Sequence, residues 1–293
     1  VRRRGALALL FASVVAACGG GGVEASPDAA PDAVALDAAP TPVDVLWIGA
    51  HPDDESFLAP LLGQECVDRG RRCGFVVATR GERGSCKRPS LCANDLAGVR
   101  DREMAASAAR YGATLEHWDL GDSPAGTPTG VAAAWSGRVG SDRALIDRVK
   151  QAIVLRAPTE VYTFDPRHGS TCHADHRAIA AVVAIAIAEL GAAAPTLRFL
   201  QSQAELPAPG QVTGMRAWVP ADAAVVHLDA DVARAGGGTL WDYLVETLAL
   251  HASQFTDGEV AAFAAVAAAG RAVYWSPAPA LGTDDPRYAN LCP

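Results

Sequence analysis

Val43-Asp44-Val45-Leu46-Trp47-Ile48-Gly49-Ala50-His51-Pro52-Asp53-Asp54-Glu55 opens the foldable part of the chain and decides its architecture. Its first seven residues are rich in β-branched and aromatic side chains, the pattern of a short buried strand. Pro52 has no N–H to give a ladder, so the strand is predicted to stop at the His-Pro step. His51, Asp53 and Asp54 therefore fall just beyond the carboxyl end of a central strand.

Outward from this strand, extended and helical patterns alternate. Gly74 to Thr79, Leu115 to Leu120 and Val161 to Phe164 read as further strands, the last stopped by Asp165-Pro166. Leu96 to Tyr111, ending before Gly112, Ser141 as an N-cap to about Arg156, and Ala174 to Leu190 read as helices. Such alternation predicts a single-domain α/β fold, a Rossmann-like, mainly parallel sheet with helices on both faces and ligands beyond the strand carboxyl ends. Further on, Leu197 to Gln203 and Ala224 to Leu228 read as strands, and Leu240 to Ala252 and Gly258 to Ala269 as helices. Residues 122–140 and 201–222 read as loops placed to shape specificity.

With 293 residues, 50% apolar and 20% charged, the chain can bury one large core, which excludes disorder as a whole. Its net charge of −8 argues against a nucleic-acid partner. Arg2-Arg3-Arg4, the apolar run Leu7 to Val15 and Ala16-Ala17-Cys18 read as a secretory signal, too short for a permanent membrane span. The Ala-Ala-Cys ending resembles a bacterial lipobox, with Cys18 the lipidated first residue of the mature protein. Residues 1–17 are then signal peptide and 18–42, rich in Gly, Ala, Pro and Asp, a disordered tether that reaches on the order of 30 Å. Residues 43–293 are the folded domain. The expected location is the bacterial cell envelope, with membrane contact only through the N-terminal lipid.

Seven cysteines less Cys18 leave Cys66, Cys73, Cys86, Cys92, Cys172 and Cys292, an even set in an oxidising compartment. Three disulfides follow, with connectivity formally open. Proximity suggests Cys66 with Cys73, Cys86 with Cys92, and Cys172 with Cys292. Cys172 as a fourth, soft metal ligand is the alternative.

Two clusters carry chemistry. His51-Pro52-Asp53-Asp54 ends the first strand, and His173-Ala174-Asp175-His176 lies where a loop enters a helix. A catalytic zinc takes three protein ligands from His, Asp, Glu or Cys and keeps one open position. His51, Asp54 and His176 supply such a set. Adjacent loop side chains point in different directions, so one of Asp53 and Asp54 faces the metal and the other is free to act as a base. Arg100 with Glu103 on a helix reads as a solvated ion pair or a pocket lining. Glu82, Asp122 and His168 are weaker candidates for substrate contact, and His117, His227 and His251 read as structural.

The segment Ala50-His51-Pro52-Asp53-Asp54-Glu55, with His173-Ala174-Asp175-His176, resembles the PIG-L (LmbE-like) family of zinc-dependent N-deacetylases. Thr79-Arg80-Gly81-Glu82-Arg83-Gly84, Arg100-x-x-Glu103 and Ser253-Gln254 add to the likeness, which spans most of residues 43–255. Ala174 departs from it by replacing a proline, and Cys172 stands where a small residue is usual. The resemblance implies one zinc ion on His51, Asp54 and His176, with Asp53 as general base. It also implies a protonated His173 that stabilises the oxyanion or donates a proton, with Asp175 as its partner. The implied reaction removes an N-acyl group, N-acetyl foremost, from an amino sugar such as an N-acetylglucosamine conjugate, glycan or glycolipid. The rival expectations are a non-catalytic surface lipoprotein that binds a sugar or metal, and a zinc hydrolase for another amide or an ester.

Overall fold

The computed structural model describes residues 41–201, 226–268 and 271–278. Cys18 and the signal, most of the tether, Cys292 and most of the 201–222 segment lie outside these residues. Seven strands form one sheet in the order β3-β2-β1-β4-β5-β7-β6. They are β1 (Val45–Gly49), β2 (Cys73–Val77), β3 (Thr114–His117), β4 (Glu160–Phe164), β5 (Thr196–Gln201), β6 (Val226–Asp229) and β7 (Ala272–Pro277). The first five are mutually parallel, in register Val45 to Cys73 and Val45 to Glu160 across β1. Only β7 runs against its neighbours β5 and β6. This is the α/β architecture expected from the sequence, with an antiparallel edge added.

Strand β1 lies inside the sheet between β2 and β4, and all five of its residues are buried, as an apolar run covered on both faces must be. Trp47 meets Phe164 of β4 edge to face at 5.2 Å, a pairing that contributes about 0.5–1.5 kcal/mol beyond the area buried. Helices α4 (Pro128–Val139), α5 (Asp142–Arg156) and α6 (Ala174–Leu190) pack together on one face. The short α1 (Ala59–Leu62), α3 (Leu96–Arg110) and α7 (Leu240–Leu250) pack together as a second group, joined by α8 (Asp257–Ala264). The remaining helix, α2 (Pro89–Cys92), is a single turn.

Caps agree with the sequence: Ser141 accepts from the Ala144 N–H, and Thr239 and Thr256 each form a capping box. Residues 122–140, read as a loop, instead contain α4. Its signal was present in Thr127, which caps the Gly130 N–H, and in Pro128 at the first helical position. Helix α6 is apolar on nearly every face because it is wedged against α4, α5, β1 and β4, with residues from Asp175 to Ile187 mostly buried. Length and composition alone would let Ala174–Ala193 cross a membrane, but its burial marks it as a core helix.

Two of the expected disulfides form, Cys66–Cys73 and Cys86–Cys92. Cys172 is disulfide-bonded as well, which removes it as a thiolate ligand.

Candidate active site

The strand order reverses beside β1, with β2 and β3 on one side and β4 and β5 on the other. At such a switch point the loops leaving neighbouring strands part and open a crevice. His51 to Asp54 leave β1 there, and the chain leaving β4 returns at His173 to His176 to begin α6.

Three side chains converge on one point. Asp54 Oδ1 lies 3.0 Å from His176 Nε2 and 3.7 Å from His51 Nδ1, and the two ring nitrogens are 3.2 Å apart. All three residues are nearly buried, at 2%, 5% and 7% exposure for Asp54, His176 and His51. Each is held from behind. The other Asp54 oxygen, Oδ2, accepts the backbone N–H groups of Ala50 and His51, both at 2.8 Å. His176 Nδ1 donates to the Gly169 carbonyl at 2.9 Å, which leaves the Nε2 lone pair facing inward, and the ring stacks on Phe164 at 4.1 Å. His51 Nε2 faces the Asp175 and Asp122 carboxylates, leaving Nδ1 to face inward.

Two ring nitrogens and a carboxylate oxygen this close need a proton or a metal cation among them. Tetrahedral ligands about 2.0–2.1 Å from zinc lie about 3.3 Å from one another, and the three observed separations bracket that value. The donor set and its geometry therefore fit a zinc ion. His173 borders the same point, its ring nitrogen grouped with those of His51 and His176 within 4.8 Å.

Asp53 adopts φ 105°, a region that a non-glycine residue enters only at a cost of about 1–3 kcal/mol. The Arg100 guanidinium holds it there, donating to Asp53 Oδ1 at 3.0 Å, to the Gly81 carbonyl at 3.1 Å and to the Pro52 carbonyl. Gly81 is required at its own positive φ, because a Cβ would collide with that guanidinium. Burial raises the Asp53 carboxyl above the usual range and Asp54 adds to this, while Arg100 opposes it.

His173 caps α6, its Nδ1 accepting the Asp175 backbone N–H at 3.2 Å, so the neutral ring presents Nε2–H outward. Desolvation and the neighbouring His176 and His51 rings push it down to about 3. That shift runs against the protonated form of His173 that the resemblance implied. Nor does the Asp175 carboxylate serve His173, as the family resemblance implied. It turns to His51 Nε2 at 3.2 Å.

The residues expected to contact substrate each have partners within the protein. Arg100 is 4% exposed and braces Asp53. It forms no solvated pair with Glu103, whose carboxylate accepts the Ser253 N–H at 2.8 Å and the Ser253 hydroxyl at 2.6 Å. Glu82 Oε1 accepts the Asp122 N–H at 2.8 Å, and Asp122 Oδ1 lies 3.4 Å from His51 Nε2. His168 is fully buried and bonds Gln201 at 3.0 Å.

Residues that sequence reasoning passed over as supports include Glu55, Ser107 and Gly169. Arg100, Glu103 and Ser107 share one face of α3, at spacing i, i+3, i+7. From that face they grip the Pro52–Asp53 loop, Ser253 and Glu55 in turn. Polar residues at helical period under a motif-bearing loop were the available signal. His251, read as structural, pairs with Glu55 in the interior, and His117 bonds the Thr79 carbonyl at 2.7 Å.

Residues 46–187, just under half of the chain, match the family model of PIG-L, described as GlcNAc-PI de-N-acetylase. The chain carries a PIG-L domain over that span. No curated protein sequence matches. Several solved structures share the fold. GalB, the 4-carboxy-2-hydroxymuconate hydratase from Pseudomonas putida KT2440, is 16% identical with TM-score 0.53, over 77% of this chain and 84% of that one. The pseudoaglycone deacetylase Dbv21 is 17% identical with TM-score 0.53, over 80% of this chain and 96% of that one. The N,N'-diacetylchitobiose deacetylase from Pyrococcus horikoshii is 18% identical with TM-score 0.50, over 73% and 72%.

Proposed function

We propose that the PIG-L domain of this chain is a zinc-dependent N-deacetylase acting on an N-acylated amino sugar conjugate. The observation that carries the reading is the convergence of His51 Nδ1, Asp54 Oδ1 and His176 Nε2 within 3.0–3.7 Å beside Asp53. A plain binding protein needs no base at that point. The de-N-acetylase description of the family model and the two deacetylases among the structural neighbours support the substrate class. The hydratase shows that the fold alone does not choose the reaction.

Zinc bound by the three ligands supplies a Lewis acid that polarises the acyl carbonyl and makes water acidic near neutral pH. Asp53, held by Arg100, takes a proton from the attacking water as its oxygen bonds to the acyl carbon. His173 donates from Nε2–H to the carbonyl oxygen as negative charge develops there; one such donor contributes about 3 kcal/mol. The proton held by Asp53 then passes to the amide nitrogen, the C–N bond breaks, and carboxylate and amine leave.

Export follows from residues 1–18 as read from the sequence. The proposal places the domain in the cell envelope on a lipid carried by Cys18, facing glycan or glycolipid substrates. Cys18→Ser is expected to move the protein from the detergent phase to the aqueous phase, and unchanged partition refutes the anchor.

The deciding experiment measures amine release from a panel of N-acetylglucosamine conjugates with zinc, with chelator and with Asp53→Ala. Release that needs both metal and Asp53 is expected. Release insensitive to both, or none from zinc-loaded protein on any N-acyl amino sugar, overturns the reading.

A further inference from the structure

The edge of His51 that faces away from the proposed zinc position is the more densely braced one. Nε2 lies 3.2 Å from Asp175 Oδ2 and 3.4 Å from Asp122 Oδ1. A neutral imidazole carries one proton, so a ring that presents Nδ1 as a ligand holds that proton on Nε2 and donates it to these carboxylates. Asp175 is fully buried at the start of α6 and reaches His173 through its backbone N–H alone.

We propose that Asp175, with Asp122 beside it, is a positioning residue that fixes the tautomer and orientation of His51 for metal binding, instead of a partner that charges His173. The inference rests on the metal-dependent reading above. The two carboxylates are themselves fixed. Asp175 Oδ2 also accepts the Ser123 N–H at 3.3 Å, and Asp122 Oδ2 accepts the Arg83 N–H at 3.0 Å. With the Asp122 N–H on Glu82, these bonds tie the loops after β2 and β3 to the head of α6. The ligand at the end of β1 is thus aimed by groups from three other strand ends. A carboxylate on the outer N–H of a ligating imidazole raises the basicity of the inner nitrogen, and its loss typically weakens metal binding about 10–100-fold.

The test is zinc affinity of the full chain, measured by competition with a chromophoric chelator, for the parent, Asp175→Asn and Asp122→Asn. The expected result is a loss of about 10–100-fold for Asp175→Asn and a smaller loss for Asp122→Asn. Parent-like affinity in Asp175→Asn, with a kcat loss that does not add to that of His173→Ala, overturns the proposal and returns Asp175 to His173. A parent that takes up no stoichiometric zinc overturns the metal-dependent reading and this inference with it. Tight zinc in parent and Asp175→Asn alike overturns this inference alone. If Asp175→Asn does not fold, nitrogen-15 spectra of histidine-labelled, zinc-loaded parent decide. A slowly exchanging His51 Nε2–H that shifts in Asp122→Asn supports the proposal; zinc on Nε2 overturns it.

Discussion

His51 and His176, 125 positions apart in the chain, bring Nδ1 and Nε2 to 3.2 Å from one another with Asp54 Oδ1 alongside. Bare lone pairs at these distances repel, and under the proposed zinc reading the two rings supply two of the three ligands.

Removing one member should therefore empty that site and leave the fold intact. After dialysis, parent protein is expected to retain about one zinc per chain. His176→Ala should retain little while keeping its circular dichroism spectrum, since outside the ligand cluster the ring contributes local contacts such as a stack on Phe164, an edge contact with Phe57 and a hydrogen bond to the Gly169 carbonyl. Equal zinc in both proteins, measured by plasma emission, would sink the ligand assignment.

Asp53→Asn should lower kcat by about 10²–10⁴-fold with zinc content unchanged, the range for loss of a general base. Arg100→Met tests the brace. The guanidinium attraction opposes the burial that raises Asp53, so its removal lifts the Asp53 carboxyl further. Activity that needs ionised Asp53 is lost as pH falls through that value. The acidic limb of the pH–rate profile should accordingly move to higher pH. A limb that stays in place would show that Arg100 does not act on Asp53.

Glu55 and His251 form an ion pair in which both residues are 0% exposed. Burial opposes both charges. Mutual attraction outweighs it, lowering Glu55 below 4.5 and raising His251 above 6.5. The Glu55 contribution is present above about pH 4.5 and is lost as pH falls through its folded value. The His251 contribution is complete below about pH 6.5 and is lost as pH rises through its folded value. Thermal unfolding should thus show a stability maximum between these limits. His251→Gln leaves Glu55 buried without its cation and should cost about 3–5 kcal/mol near pH 6. A flat profile for the parent, or a variant as stable as the parent, contradicts this.

The Cys66–Cys73 bridge spans 7 positions. It joins the segment after α1 to the first residue of β2, away from the metal ligands. Loop-closure entropy predicts a loss of about 2.5 kcal/mol in the Cys66→Ala, Cys73→Ala double variant, read from urea unfolding. The kcat of the folded fraction should be unchanged.

Much of this protein is legible from residues 43–55. A buried apolar run that stops at Pro52 places a polar cluster at a strand end, and alternation further on implies the parallel sheet. Legibility fails where the reason for a residue lies in a distant segment. Arg100 and Glu103 have the spacing of a solvated pair, yet both are buried because α3 lies under the Asp53 loop and beside Ser253. Helix α4 is hard to read because Gly130 and Gly137 interrupt it, although Thr127 and Pro128 mark its start, and packing on α5 and α6 holds it. Strand β7 gains its place only by pairing antiparallel with β5 and β6.

By itself, the sequence indicated the strand that leads into His51 and Asp54 and the mainly parallel sheet, and proximity suggested the Cys66–Cys73 and Cys86–Cys92 pairs that form. All of these follow from local patterns of burial, turn chemistry and spacing. Tertiary structure alone decided the direction in which each polar group points. Asp175 could turn to His173, two residues away, but the register of β1 against β4 sets His51 Nε2 3.2 Å from its carboxylate. Hydrogen-bond direction depends on groups brought together from separate strand ends, and that juxtaposition has no signature in any one stretch of chain.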